Sequence, residues 1–359
     1  MAAMSGAGDY LRIFETPRFA RLAPNLYAAC FSLMKLMPAR FMVDRAEASG
    51  HLKRGGSIIE TTSGTFGMAM AMIAAERSYD LKLVTSTSLT DPKFTRRLER
   101  LGATVIAIDD PTGDGNQRGR LDYLQQTLQQ NPETYWPRQY DSPENRLAYA
   151  RLAEMVIRSF GQIDCLVGCV GTGGSLCGTG GFLREMFPHL RMIGVDTHRS
   201  VLFGQPVGKR LLRGLGNSVL PANVRHEMVD EVHWVGALPA YAMAHALFRH
   251  HGIFMGPTSG AAALVASWFA YNNPDAATIV IMPDEGHRHA DTAYDDQWLA
   301  SLSGWTVSIP AEPTRIEQIR PADETTWTSF AWNRQTLDAV LASQAHPKTD
   351  STLPVKPDA

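Results

Sequence analysis

The stretch VGCVGTGGSLCGTGG, residues 167–181, runs from an apolar strand through a turn of glycine, threonine and serine into a helix. Glycine allows the backbone to approach an anion closely, and the N-terminus of a helix presents unpaired N–H groups and a positive potential. The pattern therefore predicts a phosphate-binding turn, which consists of Gly171, Thr172, Gly173, Gly174 and Ser175.

The same glycines allow a second interpretation, the G-x-G-x-x-G fingerprint of a dinucleotide-binding fold. Asp196 ends the next predicted strand at a distance that suits the acidic residue of this fingerprint. Leu176, however, stands where the third glycine is required. A tight chain reversal also accounts for many glycine turns, so this turn alone leaves its ligand open.

Strand and helix patterns alternate on both sides of this turn, from about residue 55 to residue 302. Apolar and β-branched runs such as LKLVTSTS (81–88) and RMIGVD (191–196) predict buried strands. DPKFTRRLERLG (91–102) predicts a helix with Asp91 as its cap and Gly102 at its end. Buried strands that alternate with helices are typical of the α/β class, with open, twisted, mostly parallel sheets and helices on both faces.

The length of 359 residues corresponds to about two domains at ~150 residues each. Residues 109–145 are polar and rich in Gly, Gln and Pro, which predicts a mobile connection between two α/β units. We place an N-terminal domain at 36–145 and a larger domain at 1–35 plus 146–302. Residues 303–359 form an extension, in which 326–344 predict a short helix docked on the body or on a partner subunit, followed by a disordered tail.

Composition limits the classes of protein. A total of 34 Lys and Arg against 36 Asp and Glu gives a net charge of −2, which excludes a surface built as a whole for nucleic acid or an anionic membrane. No apolar run reaches the ~20 residues of a bilayer span, and the N-terminus lacks the features of a secretory signal. Four cysteines without a C-x-x-C pair are typical of buried thiols in a reducing compartment. We predict a cytoplasmic protein with neither nucleic-acid nor membrane partners.

Lys35 is one of seven lysines and lies in the apolar segment YAACFSLMKLMPARFM, residues 27–42. Burial disfavours the charged ammonium and lowers its pKa, which is what an amine needs to form a Schiff base with a carbonyl. Alternatively, the stem of the side chain packs on apolar surface while the ammonium reaches water. Taken alone, the segment favours this second interpretation.

Two further turns carry hydroxyl residues where a helix begins. ETTSGTFG, residues 60–67, offers four hydroxyls and a glycine backbone for a small carboxylate, although these residues also suit a plain helix cap. GPTSGAAALVA, residues 256–266, opens an Ala-rich helix at Thr258 or Ser259, where a cap is again the simpler interpretation.

Together these segments resemble the cysteine synthase family. Its members share an early lysine, an ETTSGxxG-like turn some 25 residues later, a GTGGS loop beyond the midpoint and a GxTSGAA-like turn near the end. The family belongs to the tryptophan synthase β superfamily of fold-type II pyridoxal phosphate enzymes. The resemblance extends from TPRFARL to MPDEGHRHADTAYDDQWL. It implies a mobile subdomain around residues 80–125, a cofactor in the cleft between two domains, and a homodimer.

The resemblance also implies site residues. Lys35 holds pyridoxal 5'-phosphate as an internal aldimine, the turn from Gly171 to Ser175 binds the cofactor phosphate, and Thr258 faces the pyridine nitrogen. Thr65 contacts both cofactor and substrate. The carboxylate of the amino-acid substrate is bound by Thr62, Ser63, Gly64, Thr65 and Gln139.

The expected reaction is β-replacement on an activated L-serine through an aminoacrylate intermediate, with a small-molecule nucleophile as co-substrate. A neutral hydroxyl at Thr258 favours this course over transamination, and Lys35 is the natural base for the α-proton. The Asn-Pro and Asp-Arg that flank the lysine in the family are absent, and Thr65 replaces the asparagine of its TSGNTG turn. These departures predict a specialised donor or nucleophile in a biosynthetic pathway.

Two alternatives for the function stay open. The same site suits β-elimination with release of ammonia and a keto acid, and the altered surroundings of Lys35 also suit a catalytically inactive binding or regulatory homologue. His287 and His289 invite a metal interpretation with Asp284 and Asp291, but they fall in the turn that resembles PDxGERY of the family. We therefore expect packing beside the cofactor there, and predict no metal.

Overall fold

The computed structural model describes residues 10–62, 64–306 and 308–345. Its strands are β1 (Arg18–Ala23), β2 (Leu26–Cys30), β3 (Ser57–Thr61), β4 (Asp80–Ser86), β5 (Thr104–Ile108), β6 (Cys165–Cys169), β7 (Arg191–Asp196), β8 (Glu231–Val235), β9 (Thr278–Met282), β10 (Thr314–Arg315) and β11 (Trp327–Ala331). Its α-helices are α1 (Tyr10–Glu15), α2 (Leu36–Ala48), α3 (Thr65–Arg77), α4 (Pro92–Arg100), α5 (Gln117–Gln130), α6 (Glu144–Leu147), α7 (Ala150–Phe160), α8 (Gly174–Met186), α9 (Ala237–His251), α10 (Pro257–Asn272), α11 (Asp296–Ala300) and α12 (Leu337–Ala345).

The larger of two sheets has eight strands in the order β1-β2-β9-β6-β7-β8-β11-β10. Its centre, from β2 to β8, is parallel, whereas β1 pairs antiparallel with β2 and β11 pairs antiparallel with β8. The predicted α/β class with mostly parallel sheets is confirmed.

Both faces of the large sheet are covered by helices, because alternate residues of each strand point to opposite faces. In β9, Val280 and Met282 pack in the apolar cluster that includes α9 and α10. Their neighbours Ile279 and Ile281 pack in the cluster that includes α7 and α8. Every residue of β9 is buried, which explains why its sequence is a continuous apolar run.

The smaller sheet contains the parallel strands β3, β4 and β5 in that order. Side chains from α2 and α3 form one core with this sheet, and α5 packs against β3 and β4. Helix α4 follows the prediction, since the Asp91 side chain accepts a hydrogen bond from the Lys93 N–H at 2.9 Å and Gly102 has a φ of +88°.

Residues 109–145, expected to be a mobile connection, contain regular secondary structure, and their mobility stays a prediction. They contain α5, a helix of 14 residues, which begins where the Asn116 side chain accepts a hydrogen bond from the N–H of Gly119. The low apolar content concealed this helix, because α5 buries only a narrow stripe that includes Arg120 and Leu124.

The C-terminal extension differs from the predicted short helix. Residues Trp327–Ala331 form β11, which adds to the open edge of β8, and only Leu337–Ala345 are helical. The indole N–H of Trp327 donates to Nδ1 of the buried His233 at 3.0 Å. The alternation of aromatic and hydroxyl residues in β11 suits a strand, but the free edge that it covers exists only in the folded sheet. The predicted disordered tail, which is the last dozen residues (348–359), lies outside the described residues.

Residues 57–108 supply the small sheet, whereas residues 18–30, 165–282 and 314–331 supply the large one. The domain boundaries at residues 35, 145 and 302 and the mobility around residues 80–125 stay predictions. Within the described ranges, no helix combines the length and apolar character needed to cross a membrane. All four cysteines are free thiols, and three of them are buried.

Candidate active site

Lys35 immediately precedes α2, at the junction between the two sheets. Its neighbours Met34 and Leu36 are buried, and Lys35 itself is half-buried. Burial lowers the pKa of the Lys35 amine to about 8. A substantial fraction of the amine is therefore neutral near physiological pH, which is the form that attacks a carbonyl or accepts a proton.

The glycine turn leads from β6 into α8, as predicted. Gly173 has a φ of +83°, and a Cβ there would lie 2.6 Å from the backbone oxygen of Asn223. A Cβ on Gly174 would collide with the side chain of Asn145. Glycine is thus required at both positions, and the turn brings the N-terminus of a 13-residue helix to the cleft.

The hydroxyl of Thr172 links this turn to the lysine. Its Oγ1 lies 3.4 Å from Nζ of Lys35, 3.1 Å from Nδ2 of Asn145 and 3.4 Å from the backbone N of Gly174. Nδ2 of Asn145 also donates to the backbone oxygen of Gln139 at 2.5 Å. Asn145 therefore ties the phosphate turn to the segment that carries Gln139, a role that sequence reasoning missed.

The turn at residues 60–67 serves two purposes. Oγ1 of Thr62 accepts hydrogen bonds from the N–H groups of Gly64 at 3.1 Å and Gly67 at 2.9 Å, so that Thr62 caps α3. Gly64 and Thr65 line the cleft beside Lys35. Ser63, also predicted to bind substrate, lies outside the described residues.

Gln139 is held in place by a buried carboxylate. Its Nε2 donates to the backbone oxygen of Thr61 at 2.8 Å, and its backbone N–H donates to Oε2 of Glu60 at 3.1 Å. Oε1 of Glu60 accepts from the N–H of Thr61 and from the indole of Trp136. Burial raises the pKa of Glu60 to about 7, although these hydrogen bonds oppose the increase. The acidic first residue of ETTSG was the available signal for this role.

Thr258 lies in the first turn of α10 and lines a cavity together with Lys35. It is buried, and its Oγ1 donates to the backbone oxygen of Arg213 at 2.9 Å. The backbone oxygen of Thr258 accepts from Sγ of Cys169. Thr258 thus lines the cleft and also anchors the segment that carries Arg213.

The predicted residues line two adjoining cavities. Those that line the wider cavity are Lys35, Thr62, Gly64, Thr65, Gln139, Gly171 and Thr172. Those that line the deeper cavity are Lys35, Thr65, Gly171, Thr172, Ser175 and Thr258. Gly173 and Gly174 form the remainder of the turn between them.

Three arginines in the wider cavity were not predicted, namely Arg120 from α5 and Arg210 and Arg213 from the loop after β7. Within the described residues, none of the three forms a salt bridge. Burial lowers the pKa of each guanidinium, which means that their charge is placed in the cleft at a free-energy cost. The two arginines of GKRLLRG, set among glycine and leucine, were the available sequence signal.

The residues considered for a metal site are dispersed. Nε2 of His289 lies 3.7 Å from Oδ2 of Asp284, whereas His287 is exposed and Asp291 pairs with Lys93 at 2.7 Å. No group of three His, Cys, Asp or Glu residues that could hold a metal ion occurs in the part of the chain that the structure describes. Asp284 and His289 instead line the deeper cavity.

This arrangement fits pyridoxal phosphate. A glycine cradle that a Cβ would fill would hold the phosphate, and a lysine of lowered pKa beside it would meet the aldehyde. Residues 33–283 match the family described as pyridoxal-phosphate dependent enzyme. The match spans more than half of the chain, and the chain belongs to this family.

Three known proteins show which pyridoxal-phosphate dependent enzymes this chain is similar to. The N-(2-amino-2-carboxyethyl)-L-glutamate synthase of Cupriavidus metallidurans is 32% identical over 302 residues, which cover 80% of this chain and 87% of that protein. The structure of O-ureido-L-serine synthase has a TM-score of 0.71 at 26% identity and covers 80% of this chain and 97% of that chain. Cysteine synthase from Entamoeba histolytica shares the fold, with a TM-score of 0.74 at 24% identity over 86% of this chain and 95% of that chain.

These matches confirm the predicted fold, the pyridoxal phosphate cofactor and the assignment as an enzyme of cysteine synthase-like β-replacement type. The alternative of a dinucleotide-binding turn is wrong, because the matched family includes residues 171–175 and uses a different cofactor. The roles of individual site residues stay predictions.

Proposed function

We propose that this enzyme joins the amine of an acidic amino acid to Cβ of an activated L-serine. The product is N-(2-amino-2-carboxyethyl)-L-glutamate or a close analogue, by similarity to the relative that carries this name. A C–N bond forms at Cβ as the amine loses a proton, and the bond from Cβ to the leaving-group oxygen breaks. The observation that carries the proposal is the set of three arginines beside Lys35.

Pyridoxal phosphate, when bound, withdraws electrons from the α-carbon of the substrate and thereby labilises the α-proton and the β-substituent. Lys35 is the candidate base for this proton, since its Nζ faces the cleft beside Thr172 and burial lowers its pKa to about 8. A pKa near the working pH allows one group both to accept a proton and to return it.

The carboxylate of the donor fits the start of α3, where Gly64 and Thr65 face the cleft and the helix N-terminus favours a negative charge. Beside it, Arg120 is only 3% exposed, and Nε2 of Gln117 is buried without a hydrogen-bond partner in the described residues. The phosphate group of O-phospho-L-serine offers such donors more charge and more acceptor oxygens than the neutral acetyl ester of O-acetyl-L-serine does. We propose O-phospho-L-serine as the preferred donor over O-acetyl-L-serine.

A hydrogen bond between the loop after β7 and the loop after β5 closes one edge of the cleft and so supports the exclusion of water from it. Oγ of Ser218, in the loop after β7, donates to the backbone oxygen of Asp114 at 2.9 Å, in the loop after β5. Nη2 of Arg210 in turn donates to Oγ of Ser218 at 3.0 Å. A cleft closed by these loops keeps water from competing with the substrate amine for Cβ of the donor.

We further propose a homodimer in the cytoplasm, as the family resemblance implies. Exposed apolar side chains on α1, with Tyr10 at 67% and Ile13 at 66% exposure, are suited to burial against a second copy. Free thiols at all four cysteines suit a reducing compartment.

The test is product formation by the purified holoenzyme. We expect the adduct of L-glutamate with O-phospho-L-serine, detected by mass spectrometry together with released phosphate, and a lower rate with L-glutamine or sulfide as nucleophile. The Arg120→Gln variant is expected to raise KM for O-phospho-L-serine more than tenfold. Arg118→Gln, on an exposed position of the same helix, is the matched control. Accumulation of keto acid and ammonia in place of the adduct would identify β-elimination and reject the proposal.

A further inference from the structure

Arg213 differs from the other two arginines in what holds its guanidinium. Arg210 donates to the backbone oxygen of Arg199 at 2.8 Å and to Ser218 at 3.0 Å. Arg120 donates to the backbone oxygen of Gly115 at 2.9 Å. Within the described residues, the side chain of Arg213 makes neither a hydrogen bond nor a salt bridge. Arg120 keeps only Nη1 without a partner in the described residues, whereas the whole guanidinium of Arg213 is available to a ligand.

The backbone at Arg213 is nevertheless fixed. Its carbonyl accepts the hydroxyl of Thr258 at 2.9 Å, and the flanking side chains of Leu212 and Leu215 are only 1% and 2% exposed. Gly214 has a φ of +94°, a conformation that directs the chain around this point. With the backbone fixed, only the side chain of Arg213 has to be ordered when a ligand binds, which favours affinity.

The charge of Arg213 is poorly compensated by the protein. Burial lowers the pKa of its guanidinium, and the carboxylate of Asp110 only partly opposes this effect. Asp110 is itself engaged, because it accepts hydrogen bonds from Ser88 and from the N–H of Gly115. Since arginine stays protonated in proteins, an anion bound in the cleft would offset the desolvation of this charge.

The position of Arg213 suits the second substrate. Arg120 comes from α5 on the small sheet, beside the donor's proposed site at Gly64 and Gln139, whereas Arg213 comes from the large sheet. Arg213 lines both cavities together with Lys35, so that it faces the place where the bond to Cβ is made. Arg120 and Arg213, on elements of different sheets, thus offer each of two anionic substrates a cation of its own.

We propose that Arg213 is the residue that determines specificity for the nucleophile, by binding a carboxylate of an amino dicarboxylic acid. The assignment rests on the proposed function. A planar guanidinium binds a carboxylate through two parallel hydrogen bonds, which a neutral amide side chain of the substrate does not reproduce.

Bisubstrate kinetics of Arg213→Gln and Arg213→Lys test the assignment, with Lys209→Gln as control on an exposed position of the same loop. We expect Arg213→Gln to raise KM for L-glutamate at least tenfold, with KM for the donor and the cofactor absorbance unchanged. The preference for L-glutamate over L-glutamine should fall by a similar factor, and Arg213→Lys should restore part of it.

The outcomes separate the two proposals. If wild-type enzyme consumes the donor but turns over no amino dicarboxylic acid, the proposed function fails, and this assignment with it. If wild-type enzyme uses L-glutamate and Arg213→Gln retains the same KM for it, the assignment of Arg213 alone is rejected. A change confined to KM for the donor, or to cofactor occupancy, likewise places Arg213 at the donor or the cofactor and rejects the assignment.

Discussion

Nζ of Lys35 lies 3.4 Å from Oγ1 of Thr172, although 137 residues separate the two in the chain. Lys35 leads into a helix that packs on the small sheet, and Thr172 follows a central strand of the large sheet. The contact places the amine of Lys35 beside the glycine turn that is predicted to bind the cofactor phosphate. The distance between them is fixed by the packing of the two sheets.

Replacing Lys35 should abolish attachment of the cofactor. We expect Lys35→Ala to lack the visible absorbance of a lysine Schiff base after addition of pyridoxal phosphate, and to lose at least a thousandfold in turnover, because the variant has no amine to bind the aldehyde or move the proton. Lys53→Ala, at an exposed surface salt bridge, is the control and should retain both. A yellow, active Lys35→Ala protein would show that another lysine is used.

Replacing Thr172 should weaken cofactor binding while the lysine remains. Thr172→Val keeps the shape but removes the hydroxyl that contacts Lys35, Asn145 and Gly174. We expect a loss of about 1–3 kcal/mol in cofactor binding, the usual cost of leaving such groups without a partner. Titration of the apoenzyme with pyridoxal phosphate measures it. Thr172→Ser retains the hydroxyl and should stay near wild type; equal losses in both variants would argue against a role for the hydroxyl.

Glu60 should make folding stability depend on pH. Burial raises its pKa from 4.5 to about 7 in the folded protein. Between these values the folded state binds more protons than the unfolded state, so this contribution to stability falls as pH rises and is smallest above pH 7. The free energy of unfolding of wild type relative to Glu60→Gln should therefore decrease from pH 5 to pH 7, by up to about 1.4 kcal/mol per pH unit.

Urea denaturation of both proteins across this pH range measures the difference, in which the other titrating groups cancel. A constant or rising difference would mean that Glu60 stays ionised throughout. Because Glu60 accepts the backbone N–H of Gln139, KM for the donor should change more over this pH range in wild type than in Glu60→Gln, which retains only the titration of the donor phosphate near pH ~6.

The hydrogen bond from the indole N–H of Trp327 to Nδ1 of His233 should stabilise the C-terminal extension. Trp327→Phe removes the indole N–H and leaves Nδ1 of a fully buried histidine without its donor. We expect a loss of about 1–3 kcal/mol in the free energy of unfolding, measured by denaturant titration, with the cofactor spectrum unchanged. Trp305→Phe, at a half-buried indole on the same core, should lose less. Equal losses would assign the effect to packing alone.

Much of the fold follows from local pattern. The buried run of β9 and the cap of α4 were predictable, because periodicity and capping depend on residues a few positions apart. Helix α5 was missed since its buried stripe includes Arg120, a residue that local rules assign to the surface. Strand β11 was missed because its partner, the edge of β8, is distant in sequence.

The sequence by itself determined the α/β class, the glycine turn and the apolar surroundings of Lys35, since these depend on local propensity and on residue chemistry. Only the tertiary structure decided that Glu60 supports Gln139, that Asn145 joins Gln139 to Thr172, and that arginines from both sheets face one cleft. The physical reason is that desolvation and hydrogen bonding act over a few ångströms in space, and the chain brings distant residues to such distances only when the two sheets pack together.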